Sequence, residues 1–141
     1  SVDSLTDIGG GLNIAFNDAI TSFSVDSLTD IGGGLSMQHN DVLTSFSVDS
    51  VTDIGGEFRI EYHYELTSLS LDSLTDIGGN FYIRENSTLT SFSVDSLTDI
   101  GEDIWINNNP ALCNSMVFAL IDAMSALGWL GTHYTWWNAD C

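Results

Sequence analysis

Apolar residues recur along the chain in a pattern that repeats every 23 residues. The segment SVDSLTDIG and its close variants begin at Ser1, Ser24, Ser47, Ser70 and Ser93. No residue is inserted or deleted between copies, so each copy is expected to form one coil of a solenoid, in which stacking buries the apolar side that a lone coil would expose. We therefore predict a β-rich solenoid of five coils over residues 1–112 and a different structure over residues 113–141.

Within each copy, two apolar positions two residues apart indicate a strand with one buried face. Over the five copies these positions are Leu12, Leu35, Phe58, Phe81 and Ile104, followed by Ile14, Met37, Ile60, Ile83 and Ile106. With a polar position three residues on, the pattern becomes the L-x-I-x-x-N-x-x-L of a leucine-rich repeat. That polar position holds Asn17, Asn40, His63, Asn86 and Asn109. We expect these side chains to point inward, bond to the backbone at a bend and stack as a ladder.

The segment SVDSLTDI is nearly invariant, differing only at Val51 and Leu71. A glycine follows it in every copy, at Gly9, Gly32, Gly55, Gly78 and Gly101. We expect a turn there that needs either a positive φ or a close approach of two backbones.

After Leu112 the apolar spacing becomes helical. Met116, Leu120, Met124 and Leu127 fall on one face, which predicts a helix lying over the last coil. Asn114 or Ser115 is suited to begin it and Gly128 to end it. For the tryptophans of the tail, Trp129, Trp136 and Trp137, we expect packing beneath the helix, with a binding patch as the alternative.

The chain has two cysteines, Cys113 and Cys141, and they bracket this C-terminal segment. They have no spacing typical of a metal site. We predict that they form a disulfide, which places the protein outside the cytoplasm.

The string LTSFSVDSLTDIGGGLNI, with NNNPALCNSMVFALIDAM and a terminal Cys after the last copy, resembles the receptor L-domain-like leucine-rich proteins of bacterial surfaces. In that family the last coil ends in N-P-x-L, a Cys, a short helix and a second Cys. The resemblance implies a leucine-rich coil with a disulfide-tied helical cap, in a binding or scaffold role at the cell surface. It is specific for the fold and weak for function.

Charge excludes some partners. The chain carries 20 acidic and 2 basic residues, a net charge of −18, so nucleic acid and anionic membranes should be repelled. No apolar run is long enough for a membrane span, and we expect no membrane insertion. No leader sequence is recognisable, so we expect Ser1 to be either a mature terminus or a truncation point.

The outward strand positions differ in every copy, which indicates either tolerance of exposed positions or a ligand-reading sheet. Arg59, Tyr82 and Trp105 are neighbours in one column and suit a stacked cation–π strip for a sugar or a peptide. Glu61 and Arg84 are neighbours in the next, most simply as an exposed ion pair of little energetic value. The candidate ligand-binding residues are Arg59, Tyr82, Trp105, Glu61, Arg84, Tyr62 and His39.

Two aspartate columns run along the invariant side of the coils. Their members are Asp3, Asp26, Asp49, Asp72 and Asp95, and Asp7, Asp30, Asp53, Asp76 and Asp99. Like charges in adjacent coils repel, so we expect each carboxylate to accept hydrogen bonds from backbone N–H groups of its own turn, with salt screening the remaining repulsion. Calcium bound by the columns is the weaker alternative, and no other cofactor or metal is expected.

No arrangement of nucleophile, base and acid is recognisable, so we predict a non-enzymatic protein of the cell surface or extracellular space. It serves either as a recognition or adhesion module, with a protein or carbohydrate ligand, or as the structural subunit of a head-to-tail filament. In the second case the contact end comprises Val2, Leu5, Ile8, Leu12 and Ile14. Regular threonine columns leave ice binding as a minor alternative.

Overall fold

The computed structural model describes residues 4–141 as a coil of three parallel sheets. Sheet A contains β1 (Asp7–Ile8), β4 (Asp30–Ile31), β7 (Asp53–Ile54), β10 (Asp76–Ile77) and β13 (Asp99–Ile100). Sheet B contains β2 (Leu12–Ala15), β5 (Leu35–Gln38), β8 (Phe58–Glu61), β11 (Phe81–Arg84), β14 (Ile104–Asn107) and β15 (His133–Tyr134). Sheet C contains β3 (Ser22–Ser24), β6 (Ser45–Ser47), β9 (Ser68–Ser70) and β12 (Ser91–Ser93).

Neighbouring coils stack in register, so equivalent residues of the repeat lie side by side. Phe81 pairs with both Phe58 and Ile104 in sheet B, and Asp76 pairs with both Asp53 and Asp99 in sheet A. The predicted apolar columns of the strands fill the interior, where the rings of Phe58 and Phe81 lie 5.2 Å apart. The predicted β-rich solenoid of leucine-rich type is confirmed.

The inward ladder is present, and it holds the backbone at the bend of each coil. The side-chain oxygen of Asn109 accepts a hydrogen bond from the backbone N–H of Asn86 at 3.1 Å, and its Nδ2 donates to the carbonyl of Ile83 at 2.9 Å. His63 occupies its rung without access to solvent: Nδ1 lies 3.1 Å from Oδ1 of Asn86, and Nε2 lies 3.4 Å from Nδ2 of Asn40.

The glycine column is required by close approach of the backbone rather than by positive φ. A Cβ added at Gly55, Gly78 or Gly101 would collide with the carbonyl oxygen of the glycine one coil earlier. The positive φ values lie instead at the residue before each ladder rung. This bend column consists of Phe16, His39, Tyr62, Glu85, Asn108 and Trp137, with φ between 50° and 59°.

The cap begins with α1 (Asn114–Ala126). Its N-cap residue is Cys113, and no side chain caps the helix, so neither Asn114 nor Ser115 has the predicted N-cap role. Gly128, with φ 96°, follows the helix end as predicted. The buried face consists of Val117, Leu120, Ile121 and Met124, whereas Leu127 is 58% exposed and lies outside it, contrary to the predicted helical face.

After the helix, the tail rejoins the stack as a partial sixth layer. Strand β15 pairs in parallel with β14, and Asn138 adds a sixth rung by accepting from the N–H of Asn109 at 3.2 Å and donating to the carbonyl of Ile106 at 2.7 Å. The predicted disulfide between Cys113 and Cys141 is confirmed, with 5.1 Å between the two Cα atoms.

Two of the three tail tryptophans are not beneath the helix. Trp129 is half-buried against the core and donates its indole N–H to the carbonyl of Glu102 at 2.8 Å. Trp136 and Trp137 are exposed because the sixth layer carries them on its outer side. Within residues 4–141, no helix is long and apolar enough to cross a membrane.

Candidate functional site

The outer face of sheet B carries the predicted candidates in two rows. Inward residues such as Phe58 and Ile60 alternate with outward ones such as Arg59, so the second and fourth residues of each strand face away from the core. The arginine–aromatic row contains Arg59, Tyr82, Trp105 and, from the sixth layer, Tyr134. The adjacent row contains Gln38, Glu61, Arg84 and Asn107.

The arginine–aromatic row is a continuous stack of side chains. The guanidinium carbon of Arg59 lies 4.3 Å from the centre of the Tyr82 ring. The Tyr82 and Trp105 rings are 6.1 Å apart, and Trp105 and Tyr134 are stacked at 3.6 Å. The structure thus brings Arg59, Tyr82 and Trp105 together as neighbours in one column, as the repeat predicted.

The tail extends this stack in a way that the repeat did not predict. Tyr134 covers the second face of Trp105, and Trp136 stands edge-on to both rings, with ring centres 6.3 Å from Trp105 and 5.8 Å from Tyr134. The 23-residue period does not indicate this pairing, because Tyr134 follows Trp105 by 29 residues and the helix lies between them.

The ion pair beside this row is buried, contrary to the exposed pair that the pattern predicted. Glu61 is only 2% exposed, because the side chains of Arg59 and Arg84 close over it from two adjacent coils. Its Oε1 accepts from Nε of Arg84 at 2.6 Å, and its Oε2 lies 3.4 Å from Nη1 of Arg59. Glu61 therefore fixes the position of both arginines.

The chain contains no lysine and no arginine other than these two. This face therefore carries both of the Lys and Arg charges of a strongly acidic molecule. Arg59 also pairs with Glu57 at 3.1 Å. Partial burial by itself lowers the pKa of Arg59, but the hydrogen bond to Glu57 and the charges of Glu61 and Glu57 outweigh it and raise that pKa. Partial burial raises the pKa of Tyr82, against the opposing charge of Arg59.

The other two candidates, His39 and Tyr62, lie in the bend column and not on the outer face of sheet B. Their rings stack on each other at 4.4 Å, and His39 stacks on Phe16 at 4.8 Å. They form a second aromatic group, so the seven predicted residues do not make a single site.

The aspartates that the structure describes are either hydrogen-bonded to a neighbouring threonine or exposed, and they show no geometry for calcium. In sheet A, Asp30, Asp53 and Asp76 each accept a hydrogen bond of 2.6 Å from the hydroxyl of the preceding threonine, which is a side-chain rather than a backbone partner. In the other column Asp26, Asp49, Asp72 and Asp95 are exposed. Across residues 4–141 no three His, Cys, Asp or Glu side chains converge as a metal site requires, and Asp3 lies outside these residues.

The end of the stack predicted for assembly is only partly described, since Val2 lies outside residues 4–141. Leu5 is exposed, while Ile8, Leu12 and Ile14 pack partly against the core. Within the same part of the chain, β2 pairs with β5 alone. End-to-end association stays a prediction.

In the threonine columns that suggested ice binding, the hydroxyl groups donate hydrogen bonds within the stack. Thr44 donates both its hydroxyl, at 3.0 Å, and its backbone N–H, at 2.9 Å, to the carbonyl of Thr21. Thr90 makes the same two bonds, at the same distances, to the carbonyl of Thr67. In the other column the hydroxyls of Thr29, Thr52 and Thr75 lie within hydrogen-bond distance both of the following aspartate and of the carbonyl of the threonine one coil earlier. These bonds give the threonines a structural role in joining the coils.

Comparison with curated proteins and with solved structures finds no significant match. The family comparison does find one: the profile of the receptor L domain matches residues 6–121, which span all five coils and most of the helix. The match covers well over half of the chain, and the protein therefore belongs to the receptor L domain family.

Proposed function

We propose that the chain is a non-enzymatic recognition module that acts outside the cytoplasm and binds a protein partner through the outer face of sheet B. Receptor L domains are ligand-binding modules, and a disulfide is stable in oxidising compartments. The observation that carries the proposal is the arginine–aromatic row, which lies on the one sheet whose outward residues differ from coil to coil.

The composition of the row favours a protein partner. Tryptophan, tyrosine and arginine are the residues that most often dominate the binding energy of protein interfaces. Their side chains are already fixed here by stacking and by Glu61, so binding would cost little side-chain entropy. Both faces of the Trp105 ring are covered by Tyr82 and Tyr134, which leaves ring edges and the guanidinium groups for contact.

The proposal is tested by photo-crosslinking followed by affinity measurement. A photoreactive residue at Ser36, in the same column as Arg59, should capture the partner from extracellular fluid, whereas one at Ser45 on sheet C should not. For the captured partner, Trp105→Ala should raise the Kd by about tenfold or more, and the matched surface variant Ser45→Ala should leave it unchanged. Capture from Ser45 alone, or an unchanged Kd for Trp105→Ala, would show that the site lies elsewhere.

A further inference from the structure

A second concave surface lies beside the bend column, away from the outer face of sheet B. It is a cavity of about 290 Å³, here called the bend groove, lined by Tyr64, Glu85, Ser87, Asn108, Pro110 and Trp137. Its residues come from the third, fourth and fifth coils and from the sixth layer. We infer that the bend groove binds a neutral oligosaccharide, a function separate from the protein contact proposed above.

Trp137 is the strongest indication of a ligand. Its backbone has φ 59°, a conformation in which glycine or asparagine costs less than a bulky side chain. Phe16 has the same conformation, but its ring gains a stacking partner in His39. Trp137 is 74% exposed, and no other ring lies against it anywhere in residues 4–141. The ring of Trp137 therefore presents a large aromatic surface that no other ring in residues 4–141 covers, and a ligand can stack on it.

The groove combines flat apolar surface with hydrogen-bonding groups. Tyr64 and Trp137 are both exposed, and they line the groove together with Pro110. The side-chain oxygen of Glu85 accepts from Nδ2 of Asn108 at 2.7 Å, which holds both groups in place. The second carboxylate oxygen of Glu85 and Oδ1 of Asn108 remain as acceptors for hydroxyl donors. An aromatic surface beside paired acceptors matches a sugar ring, which has an apolar C–H face and hydroxyl groups at its edge.

Charge and length narrow the ligand class. The groove contains Glu85 and no basic residue, in a molecule of net charge −18, so an acidic sugar would be repelled. Tyr64 and Trp137 lie three layers apart, which is about 14 Å along the stack, or roughly three sugar rings at one ring per layer. A short neutral chain of sugars therefore fits the groove better than a single sugar or an acidic glycan.

The test uses the full chain and a panel of trisaccharides. Cellotriose, chitotriose and maltotriose are titrated by calorimetry, with sialyllactose as the acidic comparison. We expect at least one neutral trisaccharide to bind with a Kd of about 1 mM or tighter. Trp137→Ala should weaken this binding about tenfold, which corresponds to about 1.4 kcal/mol. Phe16→Ala is the matched control, because it removes an equally exposed ring from the same bend column outside the groove.

A spectroscopic measurement keeps the test decisive if Trp137→Ala does not fold. Of the four tryptophan indole N–H signals of the wild-type protein, that of Trp137 should shift on titration while that of Trp129, which is bonded to Glu102, should not. The inference is overturned if no neutral trisaccharide binds, if sialyllactose binds as tightly, or if a proline-rich peptide alone shifts the Trp137 signal. Loss of protein binding in Trp105→Ala, with trisaccharide binding intact, would separate the two sites.

Discussion

At the scale of single residues, the outer face of sheet B shows what alternation along a strand predicts and what it does not. The period of two places Glu61 on the outer side correctly, but its burial depends on two long side chains, that of Arg59 from the same strand and that of Arg84 from the next coil. The repeat predicts which residues are neighbours, because the register is fixed. It does not predict that the arginine stems fold over the carboxylate rather than extend into water.

Glu61→Gln should destabilise the fold by about 1–3 kcal/mol, because it leaves two partly buried guanidinium groups side by side without their shared counter-charge. The matched variant is Glu57→Gln, which removes a more exposed partner of Arg59 and should cost less than about 1 kcal/mol. Urea unfolding of both variants measures the difference. Equal losses of stability would mean that the buried carboxylate has no special role in holding the two arginines.

His63 makes the ladder sensitive to acid. Burial lowers the pKa of His63 from 6.5 to about 4, against the hydrogen bond to Asn86 and the charge of Asp41. The unfolded chain therefore takes up this proton first, and stability falls as the pH drops from about 6.5 to about 4, by about 3 kcal/mol in all.

His63→Asn should remove this part of the pH dependence, because the other rungs of the ladder are asparagines in the same position. The free energy of unfolding of the variant, measured between pH 4 and pH 6.5 beside that of the wild type, gives the contribution of His63 by difference. Two parallel curves would contradict a neutral, buried histidine.

At the scale of elements, the cap shows which features of the structure can be predicted from the sequence outside the repeat. The change of period at residue 113 predicts the helix, and the disulfide is predicted because the chain has just two cysteines, which bracket the C-terminal segment. The return of the tail to sheet B is not predicted, since β15 is only two residues long and its offset from β14 is 29 residues. The positive φ of the bend column was also missed, because its residues include rings and acids rather than glycine.

Asn138→Ala should lower stability by about 2 kcal/mol, because the N–H of Asn109 and the carbonyl of Ile106 would both lose their partner. Hydrogen exchange at the amide of Asn109 should accelerate, and the midpoint of unfolding should fall. Asn17→Ala is the control at the opposite end of the ladder, where the side chain is half-buried and the expected loss is smaller. An unchanged rate of hydrogen exchange at the Asn109 amide would show that Asn138 does not stabilise the end of the ladder.

At the scale of the whole molecule, the net charge of −18 opposes folding. Sheet A places equivalent aspartates in adjacent strands, where each neighbouring pair costs up to roughly 1 kcal/mol in water. The threonine hydroxyl beside each carboxylate supplies one hydrogen bond but no positive charge. Dissolved ions are therefore expected to contribute to stability.

The unfolding temperature should rise by several degrees between about 0.01 M and about 0.3 M NaCl, over which screening becomes effective at the distance between coils. Calcium and magnesium at matched ionic strength should act alike, because residues 4–141 contain no group of side chains that converges on a metal. A specific rise with calcium would contradict this expectation and return the aspartate columns to consideration as binding sites.

The uniform register between coils has a consequence for how the protein can change its length. In sheet B every joint from the first coil to the fifth has the same register, so the pairing between coils does not fix the number of coils. Both proposed binding surfaces begin at the third coil and run into the sixth layer. An in-frame duplication of the second coil would thus act as a spacer, moving the start of the stack outward by about 4.8 Å. Recombination can therefore change the length of the solenoid while the residues of both proposed binding surfaces stay the same.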